Sequence, residues 1–366
     1  MPFPKGDIPQ SCIDANPATW RGVPRAIRNA LADALGTPIV NAMRTRGAFG
    51  PTPAFRLRLA DGRRVFVKGC SPAFTDEMRE AFRHELLVYE ELGGQIGAWT
   101  PAVRGHVTRD GWELLALDDL GPETVPPWSP GVARSVVRSF AEFHAACRHI
   151  VIPDWVRRPA QWLKGEAYLW AWTGDPDAIA QRATVAGRLA AEAADWLASV
   201  GPSLAAISCR LLTTDTPPQL LHLDVRSDNI RWKDGRLYLF DWADLVAGAP
   251  ELDLALFTQT ITVESGLAPE RIVAWYEEVC ALDGPLLDAA VCAVAGLFGN
   301  EAWRPDGPVM PRLRAFQREQ LVVSLEWALR RLGLEPPRWL TAVDDGVAMR
   351  ARWDRPRASR LSRAAG

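Results

Sequence analysis

His222-Leu223-Asp224-Val225-Arg226-Ser227-Asp228-Asn229-Ile230-Arg231-Trp232-Lys233-Asp234-Gly235-Arg236-Leu237-Tyr238-Leu239-Phe240-Asp241 is the stretch from which the rest of the chain can be read. Asp224 and Asn229 lie in a polar segment that follows the apolar pair Leu220-Leu221. Asp234-Gly235 has the composition of a two-residue loop, which reverses a β-hairpin with little slack. Asn229, just before the first strand, and Asp241, just after the second, are therefore expected side by side. Two oxygen ligands beside a third carboxylate is what a magnesium-dependent phosphoryl transfer needs. Asp224 would accept the proton of an attacking hydroxyl, while Asn229 and Asp241 hold the metal on the nucleotide phosphates.

The same residues admit plainer readings. Asp and Asn beside turns are common turn formers and caps. His222-Leu223-Asp224 could be half of a metal site, although no further His or Cys lies nearby to complete it. The order of the pieces favours chemistry. A polar loop, a hairpin and an acid-ended strand follow one another as in the kinase signature set, with Asp241 in the metal-binding position.

Three separate pieces, His222 to Asn229, Phe240-Asp241-Trp242 and Gly248-Ala249-Pro250-Glu251-Leu252-Asp253-Leu254-Ala255, resemble the aminoglycoside phosphotransferase and choline kinase family. The resemblance implies an α+β, bilobal protein-kinase-like fold and phosphorylation of small-molecule hydroxyls with ATP or GTP and Mg2+. The family often has Gly where this chain has Leu223, a side chain that needs room but touches no chemistry. By the same resemblance Asp253 accepts hydrogen bonds from the catalytic-loop backbone and His144 is structural. His222 braces the loop against the strand bearing Asp241. Arg226 stands where protein kinases often carry a Lys aimed at the transferred phosphate; a solvent-facing loop Arg is the alternative.

At 366 residues the chain is long enough for two lobes sharing one cleft. Phe55, Leu57 and Leu59 alternate with Arg56 and Arg58, Asp61-Gly62 turns, and Val65-Phe66-Val67-Lys68 returns; Asp110-Gly111 makes a second such hairpin. Between them, Asp76 to Leu92 reads as a helix carrying Glu85, the expected partner of Lys68. Residues 1–117 are thus expected as a nucleotide-binding lobe of antiparallel strands with one inserted helix, and a helix over Pro24 to Leu35 should precede its first strand. Residues 118–122 are expected as the hinge. The resemblance implies that backbone groups from Leu117 to Leu120, Asp118 among them, face the nucleobase, with Val67 and Leu115 as candidate packing surfaces for its ring. Thr45 to Ala54 occupies the place of the phosphate-covering loop, with Gly47 and Gly50 as candidate contacts, although Pro51 and Pro53 remove two N–H groups. Helices are expected over 130–147, 159–171, 178–200, 269–282, 285–297 and 313–332 of a C-terminal lobe spanning 123–348. An Arg-rich tail follows over 349–366.

A net charge of −2 gives no general pull toward nucleic acid or membranes. The apolar run Ala289 to Phe298 is too short to span a bilayer. The first residues lack the apolar core of a signal peptide, and the six scattered Cys suit a reducing cytoplasm. Residues 241–290 hold ten Asp or Glu and one Arg, a pattern that suits a cationic acceptor, with Glu251, Glu277 and Glu278 as candidate carboxylates. Trp155, Trp162, Tyr168, Trp170 and Trp172 offer an aromatic wall, or core packing. The leading reading is a small-molecule kinase. A nucleotide-binding scaffold without turnover is the alternative, and a protein kinase is disfavoured because no long activation segment separates Asp241 from Asp253. The oligomeric state is left open.

Overall fold

Ile27, Leu31 and Leu35 recur at helical spacing and form the buried stripe of α1 (Arg25–Leu35), which Gly36 ends in the left-handed conformation at φ 70°. The computed structural model describes residues 19–45, 54–122, 124–163, 167–304 and 313–345. After α1 come β1 (Ile39–Thr45), β2 (Ala54–Leu59), β3 (Arg64–Cys70), α2 (Asp76–Leu87), β4 (Val103–Arg109) and β5 (Trp112–Asp118). The strands form one antiparallel sheet in the order β1-β2-β3-β5-β4, with α2 inserted between its third and fourth strands. Sequence reading misses β1, because an edge strand that is largely exposed carries no apolar alternation.

Strand alternation decides what each face touches. Phe55, Leu57, Val65, Val67, Leu114 and Ala116 pack with α1 into one buried cluster. Arg56, Phe66 and Lys68 therefore share the opposite face, where Arg56 pairs across from Phe66 and Ala54 from Lys68. This corrects the expectation for Val67. With Lys68 on the cleft face, the side chain before it must point to α1. Leu115 instead joins the larger cluster that continues into the helical lobe.

That lobe contains α3 (Pro130–Cys147), α4 (Pro176–Ala183), α5 (Ala190–Ser208), β6 (Gln219–Leu221), β7 (Ile230–Lys233), β8 (Arg236–Leu239), β9 (Val246–Gly248), α6 (Pro250–Ser265), α7 (Pro269–Glu277), α8 (Gly284–Glu301), α9 (Leu313–Arg331) and α10 (Arg338–Asp345). The helix expected over 159–171 is not continuous. It stops at Trp162, and Trp170 takes the left-handed conformation at φ 55°. The cause is tertiary: the buried Trp170 indole donates to the carbonyl of Cys292 at 2.8 Å. Gly296 makes the approach possible, since a Cβ there would meet Trp170 Nε1 at 2.7 Å. The helix expected over 178–200 is likewise broken, at Gly187 (φ 55°, ψ −119°), and resumes as α5.

Among the described residues no helix is long and apolar enough to cross a membrane. Residues 46–53 of the phosphate-covering loop expected over Thr45 to Ala54, with Gly47 and Gly50, and the Arg-rich tail lie outside the described residues.

Candidate active site

β7 and β8 pair from Ile230↔Leu239 to Lys233↔Arg236. Asp234 and Gly235 both have positive φ (52° and 73°), the primed turn whose twist matches that of the strands. The Phe240 N–H donates to the Asn229 carbonyl at 3.1 Å, extending the pairing to the residue before Asp241. The Asn229 amide donates to both the carbonyl and the Oδ2 of Asp224 at 2.9 Å. The hairpin thus gathers Asp224, Asn229 and Asp241 as the spacing requires. Both Nδ2 bonds go to Asp224, which turns the Asn229 Oδ1 away from it.

Lys68 links the two lobes at this point. Its ammonium lies 2.6 Å from Glu85 Oε2 and 3.0 Å from Asp241 Oδ1. Burial alone would push its pKa down, but Asp241 and then Glu85 outweigh it and hold the group charged. Glu85 is pushed above the ordinary carboxylate range by burial, with Lys68 opposing.

Asp253, at the first turn of α6, fixes the loop from beneath. Its Oδ2 accepts the His222 N–H at 2.7 Å and its Oδ1 the Leu223 N–H at 2.8 Å. Behind it, His144 Nε2 lies 3.3 Å from Asp253 Oδ2, and His144 Nδ1 lies 2.7 Å from the Tyr276 hydroxyl. His222 bonds to both the loop and the residue before Asp241. Its Nδ1 accepts the Asp224 N–H at 3.3 Å and its Nε2 lies 3.0 Å from the Phe240 carbonyl, a neutral ring with the proton on Nε2. Leu223 has φ 58° and Asp241 φ 69°. The left-handed conformation costs Leu about 1–2 kcal/mol, so the bonds to Asp253 hold a strained residue directly before Asp224.

Burial lowers the pKa of His222. Between that lowered value and the ordinary value of about 6.5, the unfolded chain binds more protons than the folded one. The contribution to stability is thus complete above about pH 6.5 and is lost as pH falls below it. His84, also lowered by burial, acts in the same direction. Thermal denaturation between about pH 8 and pH 5 should show Tm falling through this window. His222→Gln should flatten the fall; an unchanged profile would remove His222 as its source.

Arg226 is not a solvent-facing residue. Its Nη1 lies 2.7 Å from Asp224 Oδ1 and its Nε 2.9 Å from Asp228 Oδ1, so it clamps two carboxylates of this loop. Burial disfavours its charge, but Asp224 and Asp228 raise its pKa. Sequence reading missed Glu264, which accepts from Ser227 Oγ at 2.6 Å and from Trp128 Nε1 at 2.7 Å. Nothing local marks it, because the bond spans distant elements.

The acceptor carboxylates are not gathered at this loop. Glu251 is 4% exposed, its pKa is raised by burial, and its Oε1 accepts the Asp283 N–H at 3.1 Å. Glu278 is held by Arg134 at 2.9 Å and also by Arg138, both on α3, and Glu277 is exposed on α7. Beside the loop instead lies a small cavity of about 20 Å³ lined by Arg157, Trp162, Tyr168, Leu223, Asp244 and Val246. Leu223 thus borders a space next to Asp224. Of the expected aromatic wall, only Trp162 and Tyr168 line it. Trp170 and Trp172 donate their indole N–H groups to Cys292 and Gly296 in the core. At the expected hinge, the Asp118 carboxylate is taken by Arg104 at 2.6 and 2.8 Å. A cavity of about 320 Å³ adjoins Asp118 to Leu120, but none of residues 222–229 lines it.

Residues 52–291 match the model of the phosphotransferase enzyme family. A candidate fructosamine-3-kinase from Thermobifida fusca YX-ER1 is similar in structure over 83% of this chain and 99% of its own, at 20% identity and a TM-score of 0.54. Spectinomycin phosphotransferase APH(9)-Ia, solved with ADP and spectinomycin, is similar over 87% and 97%, at 13% identity and a TM-score of 0.51. The amicoumacin kinase hAmiN, solved with AMP-PNP, Ca2+ and Ami, is similar over 78% and 88%, at 14% identity and a TM-score of 0.50. At these identities the likeness shows a shared fold. No curated protein matches the chain in sequence.

Proposed function

The chain belongs to the phosphotransferase enzyme family, and from that premise we propose that it is a small-molecule kinase, moving the γ-phosphoryl group of ATP or GTP to an acceptor hydroxyl. The observation that carries the reading is the bridge from Lys68 to both Glu85 and Asp241, formed beside the Asp224–Asn229 pair. Asp224 takes the acceptor proton, Arg226 holds its carboxylate, and Lys68 meets the phosphates. Positioning and electrostatics supply most of the rate in such a transfer. The assembled set disfavours a scaffold without turnover. The proposed location is the cytoplasm, where unpaired thiols such as Cys70 and Cys147 stay reduced.

Asn229 and Asp241 would hold Mg2+, which when bound neutralises charge on the phosphates. The donor set suits it. Among the described residues no group of three or more His, Cys, Asp or Glu could cage a metal alone. Mg2+ characteristically takes one or two protein oxygens and completes its shell with phosphates and water. Asn229→Ala and Asp241→Ala should therefore each weaken nucleotide binding about tenfold or more with Mg2+ present and little without it. Titrations with and without Mg2+ check this, and two variants that keep the wild-type magnesium dependence would move the metal site elsewhere.

For the acceptor we propose a small hydroxylated molecule, cationic or amine-bearing. The supporting carboxylate is now Asp244 in the small cavity, with Trp162 and Tyr168 beside it. Asp244→Asn should raise the acceptor KM more than the nucleotide KM. An anionic acceptor held by Arg side chains would overturn this assignment and leave the kinase reading intact.

A further inference from the structure

Between Lys68 and Gly121 charged side chains from both lobes converge. Ala54 pairs with Lys68 and Arg56 with Phe66, so Arg56 lies two residues, about 7 Å, nearer the hinge on the same face as Lys68. Its guanidinium crosses to the hinge. Nη2 donates to the Gly121 carbonyl and Nε lies 3.3 Å from Asp119 Oδ1. From the other lobe, Arg231 stands two residues beyond Asn229 on β7. Its Nε donates to the same Gly121 carbonyl at 3.4 Å, and its guanidinium lies 4.9 Å over the ring of Phe240, the residue before Asp241. The two ends of the cleft correspond. Lys68, Asn229 and Asp241 mark the phosphate end, and Arg56, Arg231 and Asp119 mark the end where the base of a nucleotide so placed must lie.

Guanidinium groups only donate hydrogen bonds and carboxylates only accept them. One edge of guanine presents two acceptors, N7 and O6, whereas adenine presents N7 and the donor N6. Guanine also offers N1–H and N2–H to a carboxylate, where adenine N1 has only a lone pair. Two arginines and one aspartate are therefore complementary to guanine and mismatched to adenine. We propose that Arg56, Arg231 and Asp119 read the nucleobase and make GTP the preferred phosphoryl donor. The Arg56–Gly121 and Arg231–Gly121 bonds are exchanged for bonds to the base on binding. This inference rests on the nucleotide-dependent reading of the cleft given above.

Calorimetric titration of the full chain with GDP and with ADP, each with Mg2+, tests it. GDP should bind at least tenfold more tightly, the scale of one mismatched bidentate contact. Arg56→Leu should weaken GDP at least tenfold while changing ADP by less than about threefold, and Asp119→Asn should shift the preference in the same direction. Arg56→Lys keeps the charge but loses the fork, and it too should lose selectivity. Equal or tighter ADP binding by the wild-type chain overturns the proposal while leaving the kinase reading in place. So does an Arg56→Leu variant that folds with an unchanged Tm and weakens both nucleotides alike. Binding of neither nucleotide overturns both.

Discussion

Asp224→Asn is expected to lower turnover at least a hundredfold, the loss that follows removal of a positioned general base, while nucleotide binding stays within a fewfold of wild type. The substitution is nearly isosteric, but not neutral to the loop. Arg226 donates to Asp224 Oδ1 and Asn229 to Oδ2. An amide has one oxygen, so one of the two donors must lose its acceptor, at a cost of about 1–3 kcal/mol. Tm should fall by a few degrees, with cooperative unfolding retained. Steady-state kinetics beside a thermal melt separates the two effects. Near-normal turnover in the folded variant would remove Asp224 as the base.

Lys68→Met should be as damaging to activity and worse for stability. Glu85 is buried and Asp241 stands on the other side of the ammonium. Removing the cation leaves a buried carboxylate without its counter-charge, which costs about 3–5 kcal/mol when one partner of a buried pair is deleted. The Glu85 pKa should rise further, so the stability deficit should shrink at acidic pH. Lys68→Met/Glu85→Leu should recover most of the Tm and none of the turnover, because apolar packing can replace the pair but cannot meet a phosphate. Glu85→Ala alone should reduce activity less than Lys68→Met, since Glu85 acts only by orienting Lys68. The reverse ranking, or activity returning in the double variant, would mean that the ion pair has been assigned the wrong role.

What could be read from the sequence is what local geometry dictates. Asp110-Gly111 and Asp234-Gly235 turn with positive φ at both residues, and Gly62 turns at φ 88°. The three hairpins carry Lys68, the hinge and Asp241 to their places. Asp224, Asn229 and Asp241 were legible because the spacing around the hairpin brings them together, whereas Asp253 was legible only through the resemblance. What was not legible depends on contacts between distant segments. Trp170 breaks a helical run to reach the carbonyl of Cys292, 122 residues on. Glu264 meets Ser227, and Arg56 meets Gly121, without any pattern in their own neighbourhoods. The acidic excess of residues 241–290 misled in one respect. Charge count does not say which way a side chain points, and Glu251 and Glu278 are already taken by Asp283 and by α3. The register of β3 corrected Val67 for the same reason: sequence shows that alternate residues part, and only the position of α1 shows which face is which.

The most direct measurement is transfer itself. The full chain is incubated with Mg2+, γ-labelled GTP or ATP, and a panel of small hydroxylated amines, and the products are separated and identified by mass. The account predicts label on a hydroxyl of at least one acceptor, dependent on Mg2+ and lost in Asp224→Asn. Label transferred equally well by Asp224→Asn would contradict it. So would tight magnesium-dependent nucleotide binding with no transfer to any acceptor.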